Sequence, residues 1–360
     1  MEAVYIHIPF CKHICSYCDF PKVLHIESFV LDYLEALQRE IENSYEGEKI
    51  TSIYIGGGSP SCLTKVERTK LFRILKIFNL TSDCEYTFEC NPDDIDEDLL
   101  DDLVAGGVNR VSIGIESFEP SNLTILERNI DFKDIQGKIE LLHKRGIDNI
   151  NLDLMYAIPG EKIGMLKKDI TKILKLEPTH ISTYSLILED HTKLKSEGVQ
   201  YIDEDLDRKM YDTICHILKK RGYNHYEVSN FAKPGFEARH NLKYWDNEEY
   251  YGFGLGAGGY KASFRYTNTR NIHEYINGNH RQEENLMTYK EQMDNEIMLG
   301  LRKMQGIDVN NFFEKYNKNI QDVYPVKELI RSNDLIYKNG YLFIHPDKIY
   351  VMNAIIAKLL

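Results

Sequence analysis

The stretch Val4-Tyr5-Ile6-His7-Ile8-Pro9-Phe10-Cys11-Lys12-His13-Ile14-Cys15-Ser16-Tyr17-Cys18 joins an apolar, strand-like run to three cysteines spaced C-x3-C-x2-C. Three thiolates on one short loop can ligate three irons of a [4Fe-4S] cube and leave its fourth iron open to a substrate or cofactor. The competing reading is zinc. Structural zinc takes four protein ligands, usually as two separated pairs, and no second pair is present in the sequence.

Working outward, 360 residues exceed the ~250 to 300 at which a single core stops growing, so a large domain plus a smaller one is expected. Seven cysteines, an odd number with three of them in one tight run, argue for a reducing compartment and against a disulfide framework. Cys62, Cys84, Cys90 and Cys215 then read as small buried hydrophobes. The chain opens directly into a strand, with no signal-like segment and no apolar span of about 20 residues, so a cytoplasmic protein without membrane insertion is expected. A net charge of −12 disfavours nucleic acid as the main partner, because such binding draws on clustered Lys and Arg.

Apolar runs at Val4 to Ile8, Ser52 to Ile55, Tyr86 to Glu89, Arg110 to Ile115, Ile150 to Tyr156 and Ile181 to Leu186 read as strands. Stretches of helical period separate them. Two are Ser28 to Tyr45, with Phe29, Leu31, Leu34, Leu37 and Ile41 on one stripe, and Leu166 to Leu176, ended by Pro178. Alternating strands and helices imply an α/β fold with parallel strands and right-handed crossovers. Periodicity alone leaves an open doubly wound sheet and a barrel both possible.

Several strand ends carry distinctive chemistry. They read Gly56-Gly57-Gly58-Ser59-Pro60, Glu89-Cys90-Asn91-Pro92, Arg110-Val-Ser-Ile-Gly-Ile-Glu116-Ser-Phe118 and Asn151-Leu-Asp153-Leu-Met-Tyr-Ala157-Ile-Pro-Gly160. With the cysteine triplet and Tyr17, they resemble the radical S-adenosylmethionine (SAM) superfamily, in particular its coproporphyrinogen oxidase-like branch. The resemblance implies a partial six-stranded parallel (β/α)6 barrel with its chemistry at the C-terminal strand ends. Cys11, Cys15 and Cys18 would hold the cluster, and SAM would be cleaved reductively to a 5′-deoxyadenosyl radical.

Carried over residue by residue, Gly57, Gly58 and Ser59 would contact the methionine amine, with Tyr5 and Tyr17 nearby. Glu89 would meet the positive side of SAM, and Arg128 its carboxylate, for which a planar guanidinium is well shaped. Asp153 would bind a ribose hydroxyl. Glu116 stands where the family has Gln, so it can accept from the ribose but has no amide hydrogen to donate. Ala157 stands where Gly is usual, a change expected to be tolerated.

Further along, Tyr226-Glu-Val-Ser-Asn230 leads into His240-Asn241-Leu-Lys-Tyr244-Trp245. This and the rest of the chain resemble the HemW heme chaperones. The resemblance implies heme bound near His240, Asn241, Tyr244 and Trp245, with a neutral imidazole suited to iron and an aromatic face to a macrocycle. It further implies heme-accepting partners, for example respiratory enzymes at the membrane, and an electron donor such as flavodoxin or ferredoxin. Read from the residues alone, His240 and Trp245 would rather be a hydrogen-bonded junction residue and a core residue. Asp19 and Phe20 follow Cys18, where the oxidases carry a fourth cysteine two positions on, which favours a chaperone over a coproporphyrinogen III dehydrogenase. Oxidative decarboxylation of porphyrinogen propionates and radical chemistry on heme itself remain as alternatives. Gly258 and Gly259 stand where relatives often have His and Ser.

The expected organisation is a barrel over 1–225, a connecting segment with the heme-associated motif over 226–287, and a helical domain over 288–360. In the last, Asn339-Gly340 between two apolar runs signals a hairpin, so a winged-helix-like lid over the barrel mouth is expected.

Overall fold

A computed structural model describes residues 2–360. Strands β1 (Ala3–Ile8), β2 (Lys49–Gly57), β3 (Asn79–Cys90), β4 (Arg110–Glu116), β5 (Asn149–Tyr156) and β6 (His180–Ser185) lie side by side in chain order, each parallel to the next. Parallel neighbours need long crossovers, and helices supply them, from Glu27–Ser44 after β1 to Ile163–Lys175 after β5. The first helix buries Val30, Tyr33, Leu34, Leu37 and Ile41. The second, Lys65–Leu75, opens with a reciprocal Thr64 and Glu67 capping box.

Alternation along the strands divides core from lumen. On β1, Val4, Ile6 and Ile8 join the apolar core beneath the helices, whereas Tyr5 and His7 share the other face and are hydrogen-bonded to each other. The same parity turns Tyr54 of β2, Glu89 of β3 and Asp153 of β5 inward. The lumen is therefore lined by polar and aromatic groups, as a small-molecule chamber requires and a packed barrel core does not.

The sheet continues past these strands on both edges. β7 (Asn224–Glu227) and β8 (Asn230–Ala232) follow β6 antiparallel. On the other edge, β9 (Tyr250–Phe253) adds parallel to β1, then β10 (Gly258–Lys261), β11 (Phe264–Asn268) and β12 (Arg281–Leu286) add antiparallel. The result is one twelve-stranded sheet among the described residues. Glu40 of the first helix fastens this extension, accepting from Gly254 N at 2.9 Å, Asn268 Nδ2 at 2.7 Å and Tyr275 OH at 2.6 Å. The glycine at 259 has a steric reason: a Cβ there would lie 2.1 Å from the Tyr266 ring.

The C-terminal region is helical, with a three-stranded sheet and the expected hairpin. Asn339 and Gly340 take φ of 55° and 84°, as a tight turn between right-twisted strands demands. Its position corrects the expected lid. Val228 N bonds Arg302 O at 3.0 Å, Met304 N bonds Tyr226 O at 3.0 Å, and Tyr350 packs beside Arg208 with 5.3 Å from guanidinium to ring centroid. These backbone bonds hold the region against the β7–β8 flank, where it forms a side wall instead of covering the mouth.

Candidate functional site

The cysteine loop emerges from the C-terminal end of β1, and a short parallel bridge pairing Phe10 with Val23 and Cys11 with Leu24 pins its ends together. Ser16 Oγ donates to Ile125 O at 2.8 Å, and Ser16 O accepts from Leu194 N at 3.1 Å, so the loop is drawn across the barrel end. All seven cysteines are free thiols; Cys62, Cys84 and Cys90 are buried as expected, whereas Cys215 is only half-buried against the core. Burial, then the facing thiols of Cys18 and Cys15, pushes Cys11 up to about 12. A shared cationic centre would offset that cost, because a bound metal deprotonates its thiol ligands.

A single zinc ion would draw its sulfurs to ~2.3 Å from one point. No three His, Cys, Asp or Glu side chains converge in that way among the described residues. The C-x3-C-x2-C run supplies three thiolates from one loop, the number with which a four-iron cube keeps one iron open.

Tyr17, Glu116 and Arg128 meet beside Cys15. Tyr17 OH donates to Glu116 Oε1 at 3.2 Å, and Arg128 Nη1 donates to Cys15 Sγ at 3.7 Å while Nη2 donates to Gly114 O. Glu89 accepts from Tyr54 OH at 2.7 Å and from Gly57 N at 3.0 Å. Asp153 accepts from Asn151 Nδ2 at 2.8 Å and Ser112 Oγ at 3.4 Å. Burial raises all three carboxyls, Glu89 and Glu116 to about 7, and each also feels a neighbouring carboxylate or is relieved by Arg110 or Arg128. Three buried carboxyls in one lumen with an arginine at its mouth suit, by their chemistry, a ligand carrying both positive charge and a carboxylate. SAM has that charge pattern.

Gly57 and Gly58 need their missing side chains, since a Cβ at either would come within 2.7 Å of the His7 ring or the Pro9 backbone. Ser59 Oγ lies 3.2 Å from Ser61 Oγ and 3.4 Å from Asp94 Oδ2, at the rim. Glu116 and Ala157 adopt φ of 65° and 60°, a left-handed conformation that glycine takes most easily.

The heme-associated motif lies at the other end. Helix Arg239–Trp245 stoppers the N-terminal end of the barrel, with Arg239 N and His240 N both donating to the Glu85 carboxylate at 2.9 Å. His240 is 1 % exposed; Ser52 Oγ lies 3.0 Å from its Nδ1 and Tyr244 OH 2.7 Å from its Nε2. Burial, with Arg110 and Lys243 nearby, lowers its pKa to about 3, so it is neutral. Trp245 borders a cavity of about 210 Å3 shared with Asp246, Lys303 and Tyr341, and Asn241 is half-buried on the same helix.

The cysteines, Tyr17, Glu116 and Arg128 thus gather with Tyr5, Gly57, Gly58, Ser59, Glu89 and Asp153 around one barrel end, while His240, Asn241, Tyr244 and Trp245 sit at the other. The two groups touch through aromatic rings: His240 and Tyr54 have centroids 5.4 Å apart, and Tyr54 holds Glu89. Sequence reading missed Tyr54 and His7, although both share strand parity with residues it found.

A profile described as the Radical SAM superfamily matches residues 5–173. The heme chaperone HemW of Lactococcus lactis subsp. lactis (strain IL1403) is 41% identical over 357 residues, 96% of this chain and 94% of that protein. That of Bacillus subtilis (strain 168) is 37% identical over 339 residues, 90% of this chain and 89% of the relative. The solved coproporphyrinogen III oxidase (HemN) of Escherichia coli superposes with a TM-score of 0.86 at 18% identity, over 99% of this chain and 89% of that one, a likeness of fold.

Proposed function

The chain belongs to the HemW heme chaperone family of the radical SAM superfamily, and from that premise we propose that it binds heme and delivers it to acceptor proteins. The observation that carries this reading is similarity to HemW relatives over nearly the whole chain, where the likeness to the oxidase extends to fold alone. Heme-accepting respiratory enzymes as partners and a flavodoxin-like or ferredoxin-like electron donor are part of the same proposal. Among the described residues no helix is long and apolar enough to cross a membrane.

Cys11, Cys15 and Cys18 would hold the cluster, and the carboxylate-lined lumen would hold SAM. When bound, these groups supply one-electron reductive chemistry on a carbon–sulfur bond. The protein's own part is placement. Arg128 is fixed by Gly114 O and Cys15 Sγ so that its remaining edge can take a carboxylate. Glu89, fixed by Tyr54 and Gly57, offers negative charge to an ammonium or sulfonium.

The test is anaerobic hemin titration of the cluster-reconstituted protein, followed by transfer to an apo acceptor. Saturable Soret absorbance and heme transfer without porphyrin turnover are expected. Turnover of coproporphyrinogen III with SAM consumed would replace the chaperone reading by the oxidase.

A further inference from the structure

The large sheet ends on one side at β12, and a strand with a single neighbour leaves half of its backbone groups without a partner. The opposite edge is closed, since Glu227 of β7 bridges Lys303 of the C-terminal region. On β12 the register shows which groups are free. Met287 N bonds Ser263 O at 2.9 Å, in the ladder that sets Asn285 opposite Arg265 and Glu283 opposite Thr267. Residues 283, 285 and 287 therefore bond β11, and Glu284 and Leu286 turn their N–H and C=O groups outward. Every residue of β12 is exposed, and neither proline nor lysine interrupts the strand.

The chemistry of the edge narrows its occupant. Arg281 is engaged by Glu40 at 3.3 Å and lies 3.7 Å from the Tyr266 ring centroid, which leaves Glu283 and Glu284 as the charges that β12 presents. A second copy of this chain, paired antiparallel along the full strand, would set Glu283 against Glu284 twice, and like charges directly opposite are destabilising. The same carboxylates favour lysine or arginine on a different strand. At one end Leu286 and its cross-strand partner Phe264, 63% and 37% exposed, offer an apolar anchor. At the other an open groove of about 600 Å3 begins at Gln282 and is lined by Thr269, Arg270, Asn271 and Glu274. Arg270 donates to Asp19 O, next to Cys18, so the edge leads towards the cysteine loop.

We propose that β12 is a docking edge for an extended, basic segment of a partner protein. The segment adds as a further antiparallel or parallel strand, with positive side chains against Glu283 and Glu284 and an apolar one on Leu286 and Phe264. An extended backbone supplies alternating donors and acceptors at the spacing of the free groups. The carboxylates have a second effect, because they keep copies of this chain from pairing through the same edge. The inference goes beyond heme delivery and does not depend on it.

The experiment is a fluorescence-anisotropy titration of the full-length protein with a labelled peptide of about ten residues alternating lysine and valine, and with its counterpart carrying glutamate for lysine. The lysine peptide should bind at least about tenfold more tightly than the glutamate peptide. It should also slow hydrogen exchange at the amides of Glu284 and Leu286, whereas those of Glu283 and Asn285 are protected already by β11. Glu284→Pro removes one outward N–H without touching the ladder and should weaken binding about tenfold. Should that variant fail to fold, Glu283→Lys/Glu284→Lys keeps the backbone and should reverse the preference between the peptides. Equal binding of the two peptides, unchanged exchange at residues 284 and 286, or an unmoved preference in the lysine variant would overturn the docking edge. Protection of the same amides in the protein alone, growing with its concentration, would replace the partner by a second copy.

Discussion

His7 Nε2 donates to the Pro21 carbonyl at 2.7 Å, so a β1 side chain holds the exit of the cysteine loop. With that nitrogen protonated, Nδ1 accepts from Tyr5 OH at 3.0 Å, and the ring lies flat on Gly57. Burial lowers the imidazole to about 4, so this tautomer persists through neutral pH. His7 thus joins the cluster loop to the glycine run expected to meet SAM. His7→Phe should retain four irons but lose the change in the reduced cluster's paramagnetic spectrum on adding SAM. His7→Gln, able to donate and accept at similar places, should restore part of it. A normal SAM response in His7→Phe would refute this role.

Glu89 predicts a pH dependence. Its raised carboxyl keeps a proton in the folded state up to about 7, against 4.5 as the reference, so it binds more protons folded than unfolded in that window. Stability from this group is therefore greatest below 4.5 and falls as pH rises through about 7. A cationic ligand favours the carboxylate. SAM affinity should accordingly rise several-fold from about pH 6 to about pH 8, with proton release, and calorimetry in two buffers would read both. The groups facing Glu89 are Tyr54, Gly57 N, Asp153 and Arg110, with Glu116 beyond. Glu89→Gln should flatten the profile, and an unaltered profile would move the effect to Glu116.

Much of the site was legible because it is local. The cysteine spacing, the glycine run and the strand-end carboxylates each lie within a few residues of one another, and apolar alternation marks the parallel strands. What was missed is set by contacts distant in sequence. Nothing in Tyr54 announces Glu89, and His7 finds its partner only once the loop has folded back to Pro21. The outer strand β12, Arg281-Gln-Glu-Glu-Asn-Leu286, is exposed throughout and has no apolar alternation to read. The C-terminal region left the mouth because of backbone pairing between Tyr226, Val228 and residues 302–304 that no local pattern encodes.

Glu85 is the keystone of the barrel floor, since its carboxylate caps the motif helix through Arg239 N and His240 N. Buried charge-assisted bonds of this kind are worth about 1.5 to 3 kcal/mol each when one partner is removed. Glu85→Ala should lower unfolding free energy by about 3 kcal/mol, read by denaturant melting of the cluster-free protein. Hydrogen exchange should quicken first at residues 239–245. Uniform quickening would show that the floor does not open by itself.

Ala157, 4% exposed, closes β5 with φ of 60°. A left-handed alanine costs about 1 to 2 kcal/mol relative to a right-handed one, and glycine avoids most of that while losing roughly 0.5 to 1 kcal/mol to backbone entropy. The two effects oppose each other, and the strain is the larger. Ala157→Gly should therefore stabilise by about 0.5 kcal/mol, and Ala157→Val, branched at Cβ, should destabilise by more than about 2 kcal/mol. The second result bears on function. Ala157 follows Asp153 on the strand that lines the lumen, so a strained turn there fixes the height of the carboxylate. If Ala157→Gly gains stability but binds SAM more weakly, the strain serves to hold Asp153 in place. If affinity is unchanged, alanine at this position is a tolerated cost with no role in the site.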